Sequence, residues 1–215
     1  MLDATRETGP MSREHDPRHA GFRRVALRVG IAAAILAIGL AGCVVWRSAA
    51  RDREVHALVL SIIEARASSL VDPDRRRLAD ALGSTSRDHG VDSLLLLSVI
   101  EQESHFDPSA RGPRGGLGLM QVTPLTARHV AARLEIEQPV AAELFEPTVN
   151  VRLGGAYLSE LKSRFGTWEL ALAAYNEGPT RVARQVALGR TPSSEYAESI
   201  LRRWREHTRG LDGEN

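Results

Sequence analysis

The hydrophobic pattern of the chain is densest in the segment LLLLSVI, from Leu94 to Ile100. Apolar residues there occupy nearly every side of a helix, which is typical of a helix buried in a protein core. Asp92 or Ser93 can cap the N-terminus of this helix. The pattern therefore predicts a central helix around which the other elements pack.

Apolar stripes at helical spacing predict further helices on both sides of this segment. Before it, one helix is expected from Val55 to about Leu70, ended by Asp72-Pro73, and another from Asp74 to about Asp88. After it, one helix is expected from Thr123-Pro124 to about Leu134, and a short one is expected to end at Phe145-Glu146-Pro147. The next helix is expected to begin at a cap, Thr148 or Asn150, and to run through Leu161. Three more are expected from Trp168 to Tyr175, from Pro179 to Leu188 and from Ser194 to Trp204. Gly154-Gly155 would let a neighbouring helix pack closely. No alternating strand pattern and no internal repeat of useful length occur, so an all-α fold is predicted.

Glu103 stands at an unusual place in this pattern. It follows Val99 and Ile100 by four and three residues, so its carboxylate leaves the last turn of the helix on an apolar face. Burial and the negative end of the helix dipole both raise the pKa of a carboxyl, towards the range that a general acid needs. The alternative is a solvated glutamate at a frayed helix end.

The segment after Glu103 cannot be helical. Between Asp107 and Gly118 it contains Pro108, Gly112, Pro113, Gly115, Gly116 and Gly118. Glycines allow a backbone to approach a ligand closely, so a glutamate beside this loop predicts the floor of a cleft. An ordinary turn between helices is the alternative.

The segment Tyr175-Asn176-Glu177-Gly178 ends a later helix. Gly178 or Asn176 can take the left-handed conformation of a helix C-cap. On the residues alone, Tyr175 is either a core aromatic or a cleft residue, and Asn176 is either a cap or a cleft residue.

Three segments resemble the signatures of the soluble lytic transglycosylase-like (SLT) family, a peptidoglycan-cleaving family of the lysozyme-like superfamily. The first contains Glu103-Ser104, Phe106, Pro108, Ala110, Gly115 and Gly118-Leu119-Met120-Gln121 with Pro124, Thr126 and Ala127; the others are Asn150-Val151-x-x-Gly154-x-x-Tyr157-Leu158 and Ala174-Tyr175-Asn176-x-Gly178. The similarity covers about residues 79–205. It implies a lysozyme-like, goose-type helical domain, placed here at 74–208.

The resemblance assigns roles to several residues. It implies that Glu103 is the catalytic acid and base, that Gln121 and Tyr175 border sugar subsites and that Asn176 shapes the cleft floor. Tyr196 matches a late tyrosine that faces the glutamate, although a core tyrosine of the last helix is the alternative.

Two positions depart from the common family pattern. Gly112 stands where many members have a serine, and Thr123 stands where many have a methionine. These departures put the affinity of the sugar subsites in doubt, so Thr123 is kept as a candidate substrate-binding residue.

The implied reaction cuts the β-1,4 bond between N-acetylmuramic acid and N-acetylglucosamine without water and leaves 1,6-anhydromuramoyl ends. No cofactor is expected, and no His, Cys, Asp and Glu residues have metal-ligand spacing, since His105 and His129 are isolated. The alternatives are a hydrolytic lysozyme or chitinase-like enzyme, and a wall-binding scaffold of an envelope or secretion assembly in which Glu103 is idle.

The N-terminal part predicts attachment to a membrane. Residues 1–28 are polar and expected to be disordered and cytoplasmic, while 29–46 lack a charge over a length at the lower edge of a spanning helix. The arginines before this segment favour an exported remainder, and those after it weaken that orientation. A charged spacer and a helix follow in 47–73, and 209–215 are expected to be a disordered tail.

The only cysteine offers a second way to reach the membrane. Cys43 ends the sequence Leu40-Ala41-Gly42-Cys43, which resembles the lipobox of bacterial lipoproteins, so lipidation of Cys43 is the alternative to an uncleaved anchor. Either route holds the catalytic domain in the periplasm, in the cell envelope. A single cysteine also excludes an intramolecular disulfide.

Composition narrows the classes of partner. The formal net charge of the 215 residues is +1, and the basic residues, nearly all arginine, are interspersed with acidic ones. No basic stripe stands out, so nucleic acid is not an expected partner. Peptidoglycan glycan strands and the membrane are the expected partners, and the sequence names no protein partner.

Overall fold

Helices form most of residues 49–192 and 194–211, the parts of the chain that a computed structural model describes. The helices are α1 (49–66), α2 (Asp72–His89), α3 (Ser93–Ser104), α4 (Pro124–Leu134), a 3-10 helix (Ala141–Phe145), α5 (Pro147–Phe165), α6 (Trp168–Glu177), α7 (Pro179–Ala187) and α8 (Glu195–Arg209). Within these ranges the strand-like pairing consists of two isolated antiparallel bridges, Arg111 with Leu117 and Leu117 with Val122. The predicted all-α class is confirmed for this part of the chain.

Helix α3 lies at the centre of the core, as its apolar run predicts. Residues Leu94 to Leu97, Val99 and Ile100 are all at most 1% exposed. Burying one such side chain contributes about 1.5–3 kcal/mol, so the six together are a major source of stability. Asp92 rather than Ser93 caps the helix, because its Oδ1 accepts hydrogen bonds from the Leu94 and Leu95 amides at 2.8 and 3.2 Å. Helices α2 and α8 pack against α3.

The predicted close approach at Gly154-Gly155 is confirmed. A Cβ at Gly155 would overlap the Thr85 methyl group of α2, and a Cβ at Gly154 would lie 2.6 Å from the Met120 sulfur. Helix α5 therefore packs closely against α2 on one side and against the segment before α4 on the other.

Several helix boundaries differ from the prediction. Helix α1 ends at residue 66, and Asp72-Pro73 begins α2 rather than ending α1. Proline fits the first turn of a helix, where its missing N–H has no partner to lose. Helix α8 continues past Trp204 to Arg209 because His207, only 8% exposed, still packs towards Glu101 of α3.

The cap predicted for α5 was wrong. Neither Thr148 nor Asn150 caps this helix; Glu146 is its N-cap residue, Pro147 lies in its first turn, and no side chain supplies a cap hydrogen bond. Asn150 instead lies fully buried within the helix. A polar residue near the start of a helix can either cap the helix or bond to a distant segment, and only the tertiary contacts distinguish these two roles.

Helix α1 belongs to the same compact unit as the helices after it. The unit begins at Ala50, and Val59 and Ile63 of α1, both at most 1% exposed, join the core. Part of the predicted spacer and helix of 47–73 therefore packs into the core.

Several predicted segments lie outside the described residues. They are the polar segment 1–28, the apolar segment 29–46 with Cys43, and the last four residues of the predicted tail, 212–215. Among the helices of residues 49–192 and 194–211, none has the length and apolar composition needed to cross a bilayer.

Candidate active site

Glu103 lies in the last turn of α3, where the sequence predicts it. Ser104 ends the helix by donating its hydroxyl to the Ile100 carbonyl at 3.2 Å. Because the preceding turns are fully buried, the carboxyl of Glu103 emerges from the core into a cavity of about 750 Å³. The alternative of a solvated, frayed helix end does not hold.

A sharp reversal of the chain follows the glutamate. His105 and Phe106 both have positive φ, 51° and 64°, a conformation that costs a residue with a side chain about 1–2 kcal/mol. Phe106 is only 2% exposed, and burial of a phenylalanine contributes about 1.5–3 kcal/mol, enough to offset its own strain. Ser69, before α2, donates its hydroxyl to the Phe106 carbonyl at 2.7 Å. The reversal therefore brings the glycine-rich loop back beside Glu103.

The glycine-rich loop is ordered by its own backbone. The Gly115 amide donates to the Gly112 carbonyl at 3.1 Å, which closes a β-turn, and the Gly112 amide donates to the Gly116 carbonyl at 2.9 Å. At the base of the loop, the Gly118 amide donates to the Ala110 carbonyl at 3.0 Å. Gly112 and Gly116 both line the cavity, so the loop forms one wall of the predicted cleft.

The surroundings of Glu103 favour its protonated form. Burial raises the pKa of the Glu103 carboxyl, while the Tyr196 hydroxyl and the positive charge of Arg114 act in the opposite direction. The Tyr196 hydroxyl donates a hydrogen bond to Glu103 Oε1. Burial and the neighbouring Glu103 raise the pKa of Tyr196 well above its ordinary value, which keeps this hydroxyl a donor. A carboxyl with these neighbours can act as a general acid.

Tyr196 lies in the first turn of the last helix and contacts Glu103 from there. It follows the N-cap Ser194 in the first turn of α8. Its hydroxyl contacts the carboxyl even though 93 positions separate the two residues in the chain. The alternative, a core tyrosine without contact to the glutamate, is therefore excluded.

Tyr175 and Asn176 occupy the end of α6 and both line the cavity. The Tyr175 hydroxyl donates to the Met120 carbonyl at 2.8 Å, and its ring packs against the Tyr157 ring at a centroid distance of 5.7 Å. Tyr175 is thus both a packing residue and part of the wall. Asn176 is not the C-cap, because the cap position falls on Gly178 with φ 93°.

Gln121 explains why position 112 has no side chain. The Gln121 amide nitrogen donates to the carbonyls of Gly118 and Ala110 at 2.8 and 3.2 Å, which fixes the carboxamide against the loop. A Cβ at Gly112 would overlap the carboxamide oxygen of Gln121, although the φ of Gly112 is not positive. A serine at position 112 would therefore displace Gln121 without straining the backbone.

Thr123 has a structural role that accounts for its hydroxyl. As the N-cap of α4, its Oγ1 accepts the Thr126 amide at 3.1 Å and lies 2.9 Å from the Thr126 hydroxyl. Both threonines line the cavity. The predicted substrate-binding position thus lies at the cleft wall with its hydroxyl already bonded to α4.

The structure adds residues that the sequence interpretation missed. Arg114, His129, Glu160 and Glu177 also line the cavity. His129 is exposed, and its Nε2 lies 2.9 Å from Glu160 Oε1, so it has a side-chain partner in the cleft. These side chains meet across elements that are distant in the chain, and no local motif signals such a meeting.

The other carboxylates near the cleft are held in ion pairs or turns. Contact with His207, assisted by Arg66, lowers the pKa of Glu101 against the effect of burial, so this group stays ionised and points away from Glu103. The Asp107 carboxylate accepts hydrogen bonds from the Ser109 amide and hydroxyl at 2.8 and 2.7 Å.

The two further cavity carboxylates are paired as well. Glu160 Oε2 lies 3.1 Å from Arg133 Nε, and Glu177 Oε2 lies 3.0 Å from Arg181 Nε. Among the described residues no group of three or more His, Cys, Asp and Glu side chains could hold a metal ion. The arrangement thus provides a carboxyl with a raised pKa, Glu103, in a cleft with polar walls.

An all-helical domain with one buried carboxyl at a helix end, facing a cleft, is of the lysozyme-like class. The transglycosylase SLT domain model matches residues 81–197, more than half of the chain and including Glu103 and Tyr196. The chain belongs to this SLT domain family.

Known relatives and structures agree with this membership. The chain is 33% identical over 119 residues to a soluble lytic murein transglycosylase of Salmonella typhimurium, covering 54% of this chain and 18% of the relative. It is 40% identical over 110 residues to the membrane-bound lytic murein transglycosylase F of Desulfosudis oleivorans, covering 46% and 22%. An inactive mutant of the lytic transglycosylase Slt from Pseudomonas aeruginosa superposes with a TM-score of 0.56 at 29% identity, covering 73% of this chain and 28% of that chain. The chain thus spans about a fifth of the length of these curated relatives.

Proposed function

We propose that this protein is a lytic transglycosylase that cleaves the β-1,4 bond between N-acetylmuramic acid and N-acetylglucosamine in peptidoglycan. The observation that carries the proposal is the Glu103 carboxyl, which lies on the cavity wall with a pKa raised by burial and a hydrogen bond from Tyr196. The substrate class is supported by the relatives, whose names describe murein transglycosylases.

Glu103 acts first as an acid and then as a base. It donates its proton to the glycosidic oxygen as the bond between that oxygen and C1 of the muramoyl residue breaks. The carboxylate then takes the proton of the C6 hydroxyl on the same sugar, and the C6 oxygen forms a new bond to C1. The product is a 1,6-anhydromuramoyl end, no water is consumed, and Glu103 is protonated again.

The environment of the other carboxylates supports a mechanism with one acid. Retaining and inverting glycosidases use two carboxylates, one of which is a nucleophile or activates water. Glu160 and Glu177 are the other carboxylates that line the cavity, and each is held in an ion pair with an arginine, at 3.1 and 3.0 Å. Either group would have to leave its ion pair to act as a nucleophile or to activate water, so the C6 hydroxyl route is favoured over hydrolysis.

The remaining candidate residues are proposed to bind the glycan. Gln121, Thr123, Tyr175 and Asn176 line the same cavity as Glu103 and present amide, hydroxyl and aromatic groups, which are the groups that bind sugars in concave sites. Tyr196 orients the carboxyl and stabilises its ionised form between the two proton transfers.

Digestion of purified peptidoglycan by the full chain tests this function. We expect soluble fragments whose muramoyl ends are all 1,6-anhydro, as resolved by mass spectrometry, since the anhydro end is lighter by one water than a reducing end. A predominance of reducing muramic acid ends would instead establish the hydrolase. Binding to peptidoglycan without cleavage, by protein with a native circular dichroism spectrum, would establish the scaffold.

We further propose that the domain is held at a membrane on the periplasmic side of the envelope, through the apolar segment 29–46 or a lipid on Cys43. The apolar length and the flanking arginines support this proposal. In fractionated cells, the protein is expected to stay with membranes through a high-salt wash and to be released by detergent. Recovery of the full-length protein in the soluble fraction would contradict the proposal, and the mass of the mature N-terminus would separate lipid on Cys43 from an intact residue 1.

A further inference from the structure

Arg114 belongs to the turn of the glycine-rich loop that lines the cleft. This cleft turn comprises residues 112–116 and is closed by the bonds from the Gly115 amide to the Gly112 carbonyl and from the Gly112 amide to the Gly116 carbonyl. Arg114 is exposed and lines the same cavity as Glu103. Its side chain is therefore placed to act on whatever occupies the cleft.

The Arg114 guanidinium reaches across to the end of α6. Its Nη1 donates to the Asn176 carbonyl at 2.8 Å, and its Nη2 donates to the Asn176 side-chain oxygen at 2.6 Å. Two parallel bonds from one planar group fix both distance and orientation. They join two walls of the cleft that are 62 positions apart in the chain.

We infer that Arg114 is a positioning residue of the proposed transglycosylase site, which ties the cleft turn to α6 and holds a permanent positive charge in the field of Glu103. The catalytic role of Arg114 rests on the proposed function, whereas its contacts with Asn176 do not depend on that function. The bonds between the cleft turn and α6 set the width of the cleft. The positive charge adjusts the balance between the two protonation states of Glu103.

Three groups from three elements interact with the Glu103 carboxyl. Tyr196 of α8 and Arg114 of the cleft turn lower the pKa of Glu103, while burial and the nearby Glu103 raise the pKa of Tyr175 of α6. Burial raises the pKa of Glu103, and the two tyrosines are neutral at working pH. Arg114 is thus the one fixed charge among these three groups, and it lowers the pKa of Glu103 against the effect of burial.

This balance matters because Glu103 is proposed to serve in both protonation states. A carboxyl kept neutral by burial alone would donate its proton readily but form its carboxylate at a high cost. A nearby arginine stabilises the carboxylate needed to accept the C6 hydroxyl proton. An arginine suits this role because its guanidinium stays charged at any working pH.

Two variants separate the charge from the contact. Arg114→Gln removes the charge and the paired bonds, whereas Arg114→Lys keeps the charge but cannot form the same planar pair of bonds. Arg111→Gln is the matched control, because Arg111 belongs to the same loop but stacks over Phe145 at 4.5 Å. Contacts of exposed charged groups contribute little to stability, so all three variants are expected to melt within a few degrees of the wild type.

The charge is tested by titrating the Glu103 carboxyl in the free protein by carbon NMR, with the signal assigned by its loss in Glu103→Gln. We expect a higher pKa in Arg114→Gln than in the wild type, and an unchanged pKa in Arg114→Lys and Arg111→Gln. Loss of the positive charge disfavours the carboxylate, so the alkaline limb of kcat/KM should move to higher pH by the same amount. An unchanged titration in Arg114→Gln would overturn the electrostatic role.

The contact is tested by kinetics on soluble, uncrosslinked glycan strands. Both Arg114 variants are expected to raise KM about threefold, on the usual net worth of a hydrogen bond, while Arg111→Gln leaves it unchanged. Equal KM values for the wild type and Arg114→Lys would overturn the positioning role. If the wild type cleaves no glycan but Arg114→Gln still raises the pKa of Glu103, the proposed function fails, while the electrostatic effect of Arg114 on Glu103 is still supported.

Discussion

Replacing Glu103 by glutamine is expected to lower glycan cleavage by at least about a hundredfold while leaving the fold intact. A factor of this size is the usual contribution of one general acid or base, and glutamine can neither donate nor accept the proton. The initial rate of release of soluble fragments from peptidoglycan measures the effect. Glu177→Gln is the matched control, because Glu177 also lines the cavity but is paired with Arg181.

The glutamine variant also makes a prediction about stability. Burial raises the pKa of Glu103 in the folded protein, so the protonated carboxyl is the form that the fold favours. The stability that this group contributes is present at low pH and is lost as the pH rises through the raised pKa. Glutamine resembles the protonated form at every pH, so Glu103→Gln should be at least as stable as the wild type at neutral pH.

Two outcomes would contradict the role given to Glu103. If Glu103→Gln retained more than a tenth of the activity, another group would be the acid. If Glu177→Gln lost as much activity as Glu103→Gln, a second carboxylate would take part, and hydrolysis would replace the anhydro mechanism.

Replacing Asn150 by alanine is expected to destabilise the domain by about 3–5 kcal/mol. The Asn150 side chain is 0% exposed and makes three hydrogen bonds to backbone groups. Its Oδ1 accepts the Met120 amide at 2.7 Å, and its Nδ2 donates to the Leu117 and Leu144 carbonyls at 2.8 and 2.7 Å. Alanine would leave all three groups buried and unpaired, at about 1–3 kcal/mol for each group that finds no new partner.

Urea unfolding followed by circular dichroism measures this loss. Thr148→Ala is the matched control, since Thr148 lies on the same helix but is exposed, and it should change the free energy of unfolding by less than about 0.5 kcal/mol. The Asn150 variant should also lose activity below its unfolding transition, because Leu117 and Met120 lie in the segment immediately before Gln121. A loss of under about 1 kcal/mol would mean that water or a local shift satisfies the three groups.

The centre of the domain could be predicted from the sequence because its determinants are local. An unbroken apolar run, an aspartate cap and a stop before a glycine-rich loop define α3 within one short segment, and Glu103 follows from its position in the last turn. The Thr123-Pro124 start of α4 was predicted for the same reason, since caps and prolines act on their immediate neighbours.

The functions of several polar residues could not be predicted, because their partners are far away in the chain. Asn150 has the composition and position of a helix cap, yet it bonds to a segment 30 positions earlier. Gly112 could be recognised as a departure from the family pattern, but its cause is the Gln121 carboxamide packed against it. Arg114 gives no local signal, and its partner Asn176 is 62 positions away.

The sequence by itself determined the helices of this protein and the buried end at which its acid lies. Hydrophobic spacing decides which side of each helix leaves water, and that choice needs only neighbouring residues. The tertiary structure decided that Tyr196 faces Glu103, that Arg114 bridges the glycine-rich loop and the end of α6, and that the other cavity carboxylates form ion pairs with arginines. Those contacts depend on how the helices are arranged in space, because the spacing along one helix does not specify which distant side chain will lie against it.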